Sequence, residues 1–167
     1  MSSESLQLTT HDDRQTEALG QVLGRLLQPG DVVALTGPLG AGKTCLTRGI
    51  ARGLGIEEPV TSPTFILVGE YETAAGIVLY HADCYRLQDP VAEAIDIGLE
   101  ELLYGGGICV VEWAERIQEL LPPDCLRVTL RAAGLQTRAL TLTAGGPRSL
   151  TLLAALGAAL EPLASPA

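Results

Sequence analysis

The residues best suited to chemistry lie in one glycine-rich stretch, Gly37-Pro38-Leu39-Gly40-Ala41-Gly42-Lys43-Thr44, which fits G-x-x-x-x-G-K-[ST] throughout. Each part has a physical task. The glycines let main-chain N–H groups turn inward around phosphate oxygens. A helix starting near Lys43 adds the positive end of its dipole to the same anion. Lys43 supplies a point charge for the β- and γ-phosphates, and the Thr44 hydroxyl is an oxygen ligand of the kind Mg²⁺ prefers. Lys43 is also the only lysine in 167 residues, against ten arginines. Every lysine-dependent step must therefore run through it, and a guanine-reading Asn-Lys-x-Asp motif is excluded.

A phosphate loop needs a carboxylate at the end of another strand to hold Mg²⁺ or its water shell. Two acids stand in that position: Asp83 closes Ile77-Val78-Leu79-Tyr80-His81-Ala82-Asp83, and Glu112 closes Ile108-Cys109-Val110-Val111-Glu112. Ligands of open α/β sheets bind outside the carboxyl ends of strands. If both acids converge there, one can hold the metal while the other orients the attacking water. The sequence does not divide those roles. Ser62 and Thr64 flank a proline shortly after the phosphate-loop helix, a placement that suits a switch segment sensing the γ-phosphate, though capping and turn-making use the same residue types. Arg86 can reach phosphate or pair with an acid. Trp113 reads by default as a core or partner-facing anchor. His81 reads as a packed strand residue, since no second metal-spaced His or Cys accompanies it.

These residues require a frame. Ser5–Thr9 alternates like a short edge strand, and Thr10 or Asp12 can cap a helix whose apolar residues Ala18, Leu19, Val22, Leu23, Leu26 and Leu27 recur at helical spacing up to Pro29-Gly30. Val32–Thr36 is a buried-strand run leading into the loop, and a helix from Lys43 to about Gly53 follows. Ile66–Tyr71 and Ile77–Asp83 form a hairpin across Thr73-Ala74-Ala75-Gly76. Weak helical stretches begin at Pro90 and Asp96, and Glu115–Leu121 is a short helix before Pro122-Pro123. Leu126–Leu130 and Leu140–Thr143 make a second hairpin. Ser149–Leu160 is an Ala/Leu-rich helix, and 162–167 is expected to be a disordered tail. The expectation is one α/β domain over 1–167, with a mixed parallel and antiparallel sheet flanked by helices, as in P-loop NTPases.

The net charge of −9 is unevenly spread: residues 57–124 carry fourteen acids and two bases, whereas residues 1–56 are neutral. Binding a nucleic-acid backbone directly needs clustered Lys and Arg to displace counterions. The acidic middle disfavours that, and serves solubility, a metal site or a basic protein partner. The cysteines Cys45, Cys84, Cys109 and Cys125 match no zinc spacing. No apolar leader is visible, and the longest apolar stretch falls short of the roughly 20 residues a membrane span needs. A cytoplasmic protein with reduced thiols is expected.

Taken in order, GPLGAGKT, TSPTF, HADCYRL and VVEWAE resemble the TsaE family of bacterial ATPases, over roughly residues 5–131. The resemblance implies ATP in the loop Gly37–Thr44 with Thr44 on Mg²⁺, Thr64 in a switch-like segment, Asp83 as an acid needed for hydrolysis, Glu112 as the acid associated with Mg²⁺, and Trp113 beside it. It further implies action beside the proteins TsaD and TsaB, which modify adenosine 37 of tRNA with a threonylcarbamoyl group. Contact with tRNA would then be only indirect, through that complex. Ala114 and Cys84 depart from residues common in the family but remove no functional group. Two rivals use the same loop. A small-molecule kinase would need arginine-bearing lid segments, and residues 57–124 offer only Arg86 and Arg116. A nucleotide-gated binding module would depend on ordering of the Thr64 loop, with hydrolysis incidental.

Overall fold

Residues 32–35 and 108–111 are apolar at every position, so strands built from them belong where both faces are covered. That is where they lie. The computed structural model describes residues 4–61 and 68–164. Along the chain run β1 (Ser5–Thr10), α1 (Asp13–Leu26), β2 (Val32–Thr36), α2 (Lys43–Gly53), β3 (Val68–Glu72), β4 (Val78–Asp83), α3 (Pro90–Asp96), α4 (Leu99–Leu103), β5 (Ile108–Glu112), a 3₁₀ segment (Ala114–Leu120), β6 (Leu126–Ala132), β7 (Arg138–Ala144) and α5 (Pro147–Ala164).

The strands form one seven-stranded sheet in the order β1-β7-β6-β2-β5-β4-β3. Its centre, β6-β2-β5-β4, is parallel. Antiparallel partners flank it: β3 beside β4, then β7 beside β6 and β1 beside β7. The expected mixed sheet with flanking helices is therefore present, and both expected hairpins form.

Because side chains alternate along a strand, each central strand feeds two cores. Val33, Leu35 and Val110 face the layer of α1, α2 and α5, meeting Leu23, Ile50 and Leu156. Val32, Ala34, Cys109 and Val111 face the opposite layer of α3, α4 and the 3₁₀ segment, meeting Ala94, Leu103 and Ile117. The first layer is unusually close. A Cβ placed on Gly49 of α2 would lie 2.1 Å from the Glu17 carbonyl oxygen of α1, and one on Gly24 of α1 would lie 2.3 Å from the Ile50 carbonyl oxygen. The two helices touch backbone to backbone, which fixes the axis of the helix that begins at Lys43.

Several boundaries differ from expectation. Asp12 caps α1 by accepting from the Gln15 N–H, but the helix stops at Leu26 rather than running to Pro29. Asp96 ends α3 instead of starting a helix, and α4 begins after Gly98, whose φ of +79° turns the chain. The helix expected after Trp113 is a 3₁₀ segment kinked at Ile117. Residues 162–164, expected in a tail, continue α5, a helix rich in the strong helix formers Ala and Leu. Residues 165–167 lie outside the described residues, as do Ile66 and Leu67 of the strand expected from Ile66. No described helix is long and apolar enough to cross a membrane.

Candidate functional site

The parallel strands β2, β5 and β4 all end on the same edge of the sheet. The loop Gly37–Thr44 therefore shares that edge with Glu112 and Asp83, which sit opposite each other in the β4–β5 register. The loop takes its shape from glycine. Gly37, Gly40 and Gly42 have φ of +141°, +80° and +102°. A Cβ on Gly37 would also fall 2.3 Å from the Leu130 carbonyl oxygen of β6. Gly42 precedes α2 in a left-handed conformation and no side chain caps the helix. The positive end of the helix dipole thus faces the cleft without a side-chain cap.

Lys43 is buried, and its ammonium folds back on its own loop. Nζ donates to the carbonyls of Gly37 at 2.5 Å and Pro38 at 2.9 Å. It also stands 4.1 Å from the centre of the Trp113 ring, a cation–π distance. Burial lowers the Lys43 pKa, and the negative charges of Glu112, Glu115 and Asp83 oppose that shift. Trp113 is the only non-glycine with positive φ among the described residues, at +59°. This conformation costs energy for a bulky residue. It lets the indole turn from the end of β5 toward Lys43, where Tyr85 braces it edge-on at 4.8 Å.

Glu112 is held from three sides. The Thr44 hydroxyl donates to Oε1 at 3.0 Å, Thr47 Oγ1 stands 3.5 Å from Oε2, and His81 Nε2 lies 2.5 Å from Oε2. The Thr47 hydroxyl has its shorter bond to the Lys43 carbonyl, at 2.8 Å. Asp83 is less tightly held: its Oδ1 accepts from the Tyr85 N–H at 3.0 Å. Burial raises the Asp83 pKa; the Tyr85 hydrogen bond opposes that, and Glu112 adds to it.

A cleft of about 500 Å³ opens over these groups. Of the residues singled out from sequence, Leu39, Gly40, Gly42, Lys43, Thr44, Asp83, Arg86, Glu112 and Trp113 line it, while Gly37, Pro38 and Ala41 complete the loop behind them. Arg86 is exposed on its rim. Ser62 and Thr64 lie outside the described residues. Trp113 serves the cleft as the surface beneath Lys43, a role its sequence position did not suggest. His81, read as packing, is fully buried as expected, and in addition it orients Glu112. Sequence reasoning did not place Asp13, Cys45, Tyr85 and Arg138 in the cleft. Tyr85 had a signal in its position two residues after Asp83. Arg138 had none, because it reaches the loop only through the strand order. Burial, with help from Asp13 and Glu17, raises the Cys45 thiol to about 11, so it remains protonated and donates to the Asp13 carbonyl. Among the described residues, no three His, Cys, Asp or Glu side chains converge on a metal position.

Known proteins share this architecture. The family model described as "Threonylcarbamoyl adenosine biosynthesis protein TsaE" matches residues 10–140. A tRNA threonylcarbamoyladenosine biosynthesis protein of Bacillus subtilis is 43% identical over 145 residues, covering 87% of this chain and 89% of its own. Its counterpart in Treponema pallidum is 45% identical over 129 residues, covering 77% and 93%. The crystal structure of Bacillus subtilis YdiB superposes with a TM-score of 0.78 at 36% identity, covering 95% of this chain and 98% of that one.

Proposed function

The chain belongs to the TsaE family, and from that premise we propose that it is a Mg²⁺-dependent ATPase serving tRNA threonylcarbamoyladenosine biosynthesis, weak alone and controlled by the proteins TsaD and TsaB. The observation that carries the catalytic part is the meeting, on one sheet edge, of a glycine-shaped anion loop, a buried lysine and two strand-end carboxylates.

ATP is the substrate, and its phosphates lie in the loop Gly37–Thr44 against the N-terminus of α2. Lys43 exchanges the Gly37 and Pro38 carbonyls for phosphate oxygens, and the Trp113 ring stays beneath its ammonium. The donor set fits Mg²⁺ better than a softer metal. Thr44 and Glu112 offer a hydroxyl and a carboxylate 3.0 Å apart, both hard oxygen ligands, and the remaining ligands would come from phosphate and water. Bound there, Mg²⁺ supplies neutralisation of the charge that builds on the transferring phosphoryl group.

The surroundings of the two acids divide their work. Glu112, fixed by Thr44, Thr47 and His81, fits the metal-side role. Asp83, half-buried and with few partners, fits the water-positioning role; its raised pKa favours accepting a proton. Water attacks the γ-phosphorus, the bond from that phosphorus to the bridging oxygen of ADP breaks, and the water proton leaves by way of Asp83. The acidic segment 57–124 favours a basic face on the protein partner and contact with tRNA only through it.

Phosphate release from ATP by the purified chain, with and without TsaD and TsaB, tests this. Lys43→Ala should lose nucleotide binding. Asp83→Asn and Glu112→Gln should keep binding and lose turnover by about 100-fold or more. Unchanged turnover in all three variants overturns the site, and turnover indifferent to the partners overturns their control of it.

A further inference from the structure

The proposed reaction uses Asp83 and Glu112, and the chain that runs on past each acid builds one wall of the cleft. Past Asp83 come Cys84, Tyr85, Arg86 and Leu87; past Glu112 come Trp113 and the 3₁₀ segment. Tyr85, Arg86 and Trp113 line the cleft. The β4–β5 ladder ends at the Asp83–Glu112 pair, so beyond it the two runs need other ties. Two have been met in part. The Cys84 N–H donates to the Glu112 carbonyl at 3.1 Å and joins the runs at their base. The Tyr85 and Trp113 rings meet edge-on at 4.8 Å.

Arg116 makes the third tie. Its main-chain N–H donates to the Trp113 carbonyl at 3.1 Å, closing the turn in which Trp113 takes its positive φ. Its guanidinium crosses to the other run, where Nη2 donates to the Leu87 carbonyl. One residue thus holds both runs, one by its main chain and one by its side chain. The charge is placed against its ordinary preference. Residues 57–124 hold fourteen acids and two bases, Arg86 and Arg116. An arginine in such surroundings ordinarily pairs with a carboxylate, yet among the described residues Arg116 makes no ion pair. It is half-buried instead, and its Nε is buried without an acceptor among the described residues. An unmet N–H costs free energy, so the contact with Leu87 is kept against a cost. A main-chain acceptor also fixes the path of the chain, which a flexible acidic side chain would not.

Building on the hydrolysis reading above, we propose that Arg116 is a positioning residue for that reaction, clamping the run after Asp83 to the run after Glu112. The clamp sets the Tyr85 N–H against the Asp83 carboxylate, 3.0 Å away, and the Tyr85 ring against Trp113. Arg116 touches no reacting atom and acts through Tyr85. The phosphate loop hangs from α2 rather than from either run, so the clamp governs turnover more than nucleotide affinity. A displacement of about 1 Å in a group that orients a reactant can cost about 100-fold in rate.

The test compares Arg116→Met, which keeps a long stem and removes the donors, and Arg116→Lys, which restores a charged donor, with the unaltered chain. KM and kcat for ATP are measured by phosphate release, and dissociation constants for ADP by calorimetry. Trp113 is the only tryptophan in the chain, so its emission and its quenching by acrylamide report on the wall directly. Arg116→Met should lower kcat by about tenfold or more, with KM and ADP affinity changed by less than about threefold. Its emission should move to longer wavelength and be quenched more readily as the ring loses Tyr85. Arg116→Lys should recover most of the lost kcat and the emission of the unaltered chain. An arginine that served folding alone would lower the melting temperature and leave kcat and Trp113 emission unchanged, and that result overturns the proposal. So does a fall in kcat matched by an equal loss of ADP affinity, or a lysine variant as slow as the methionine one. Failure of the unaltered chain to release phosphate would instead overturn the hydrolysis reading, and the emission of the two variants would still decide the clamp.

Discussion

The two helical layers of the sheet are built differently. On one side α1, α2 and α5 are long, 14, 11 and 18 residues, and α1 meets α2 at main-chain contact through Gly20, Gly24, Gly49 and Gly53. On the other side α3, α4 and the 3₁₀ segment have 7, 5 and 7 residues, with Ile95, Ile97 and Tyr104 left exposed. Short helices gain little from their own hydrogen bonds and depend on docking. The phosphate loop hangs from the tightly packed layer through α2. Trp113 and Tyr85 follow directly from β5 and β4, next to the shorter elements. The contrast suggests a division: a preformed cradle for an anion, and a more adjustable wall bearing aromatic groups.

The largest effect should come from disturbing the tight layer. Gly49→Ala would place a methyl 2.1 Å from the Glu17 carbonyl oxygen, main chain that cannot step aside without separating α1 from α2. We expect a loss of about 3–4 kcal/mol in chemical denaturation. The matching change on the other layer, Ile97→Ala at a side chain 47% exposed, should cost under about 1 kcal/mol. Equal costs at the two sites would abolish the contrast.

Next in size is the joint between the layers, where His81 meets Glu112. His81→Ala leaves the buried carboxylate with only its threonine partners. It should cost about 2–3 kcal/mol in stability and lower turnover more than ADP binding. His81→Gln, which can still donate, should recover part of both. If His81→Ala lowers stability but leaves turnover intact, His81 is packing alone, as its sequence position first suggested.

The pattern of what was legible follows from distance along the chain. The run from Val32 through the loop into α2 is contiguous, so composition and motif spacing were enough to find strand, loop and helix. Asp83 and Glu112 could be found because each ends an apolar run, and such ends gather on one edge of a parallel sheet. The contact of His81 with Glu112 spans 31 positions and needs the β4–β5 register, which no local pattern contains. Arg138 needs more, namely that β7 returns beside β6 and brings its first residue back to Gly42. Trp113 was legible as an anchor but not as the left-handed residue that carries Lys43, because an unfavourable φ is imposed by the tertiary frame. The β1–α1 boundary was closely anticipated through Asp12, since capping is local chemistry.

The smallest effect lies at the far end of the tight layer, where Asp124 closes the start of α5. Its carboxylate accepts from the Arg148 and Ser149 N–H groups at 2.8 and 2.9 Å and from the Ser149 hydroxyl at 2.6 Å. Burial pushes the Asp124 pKa up, but these hydrogen bonds and the nearby Arg148 charge outweigh it, so the net shift is downward. A carboxylate whose folded pKa is depressed contributes stability that is fully present above its unfolded value. That contribution fades as pH falls through the folded value. Asp124→Ala should therefore cost about 1 kcal/mol at neutral pH, the ordinary worth of a helix cap. The gap between the two melting temperatures should close below the usual carboxylate range as the native chain loses the same charge. A gap that persists undiminished in acid would mean that the Asp124 contacts act through packing rather than charge. The start of α5 would then be held chiefly by Arg148, which bridges both carboxylate oxygens of Asp31 at 2.8 and 2.9 Å.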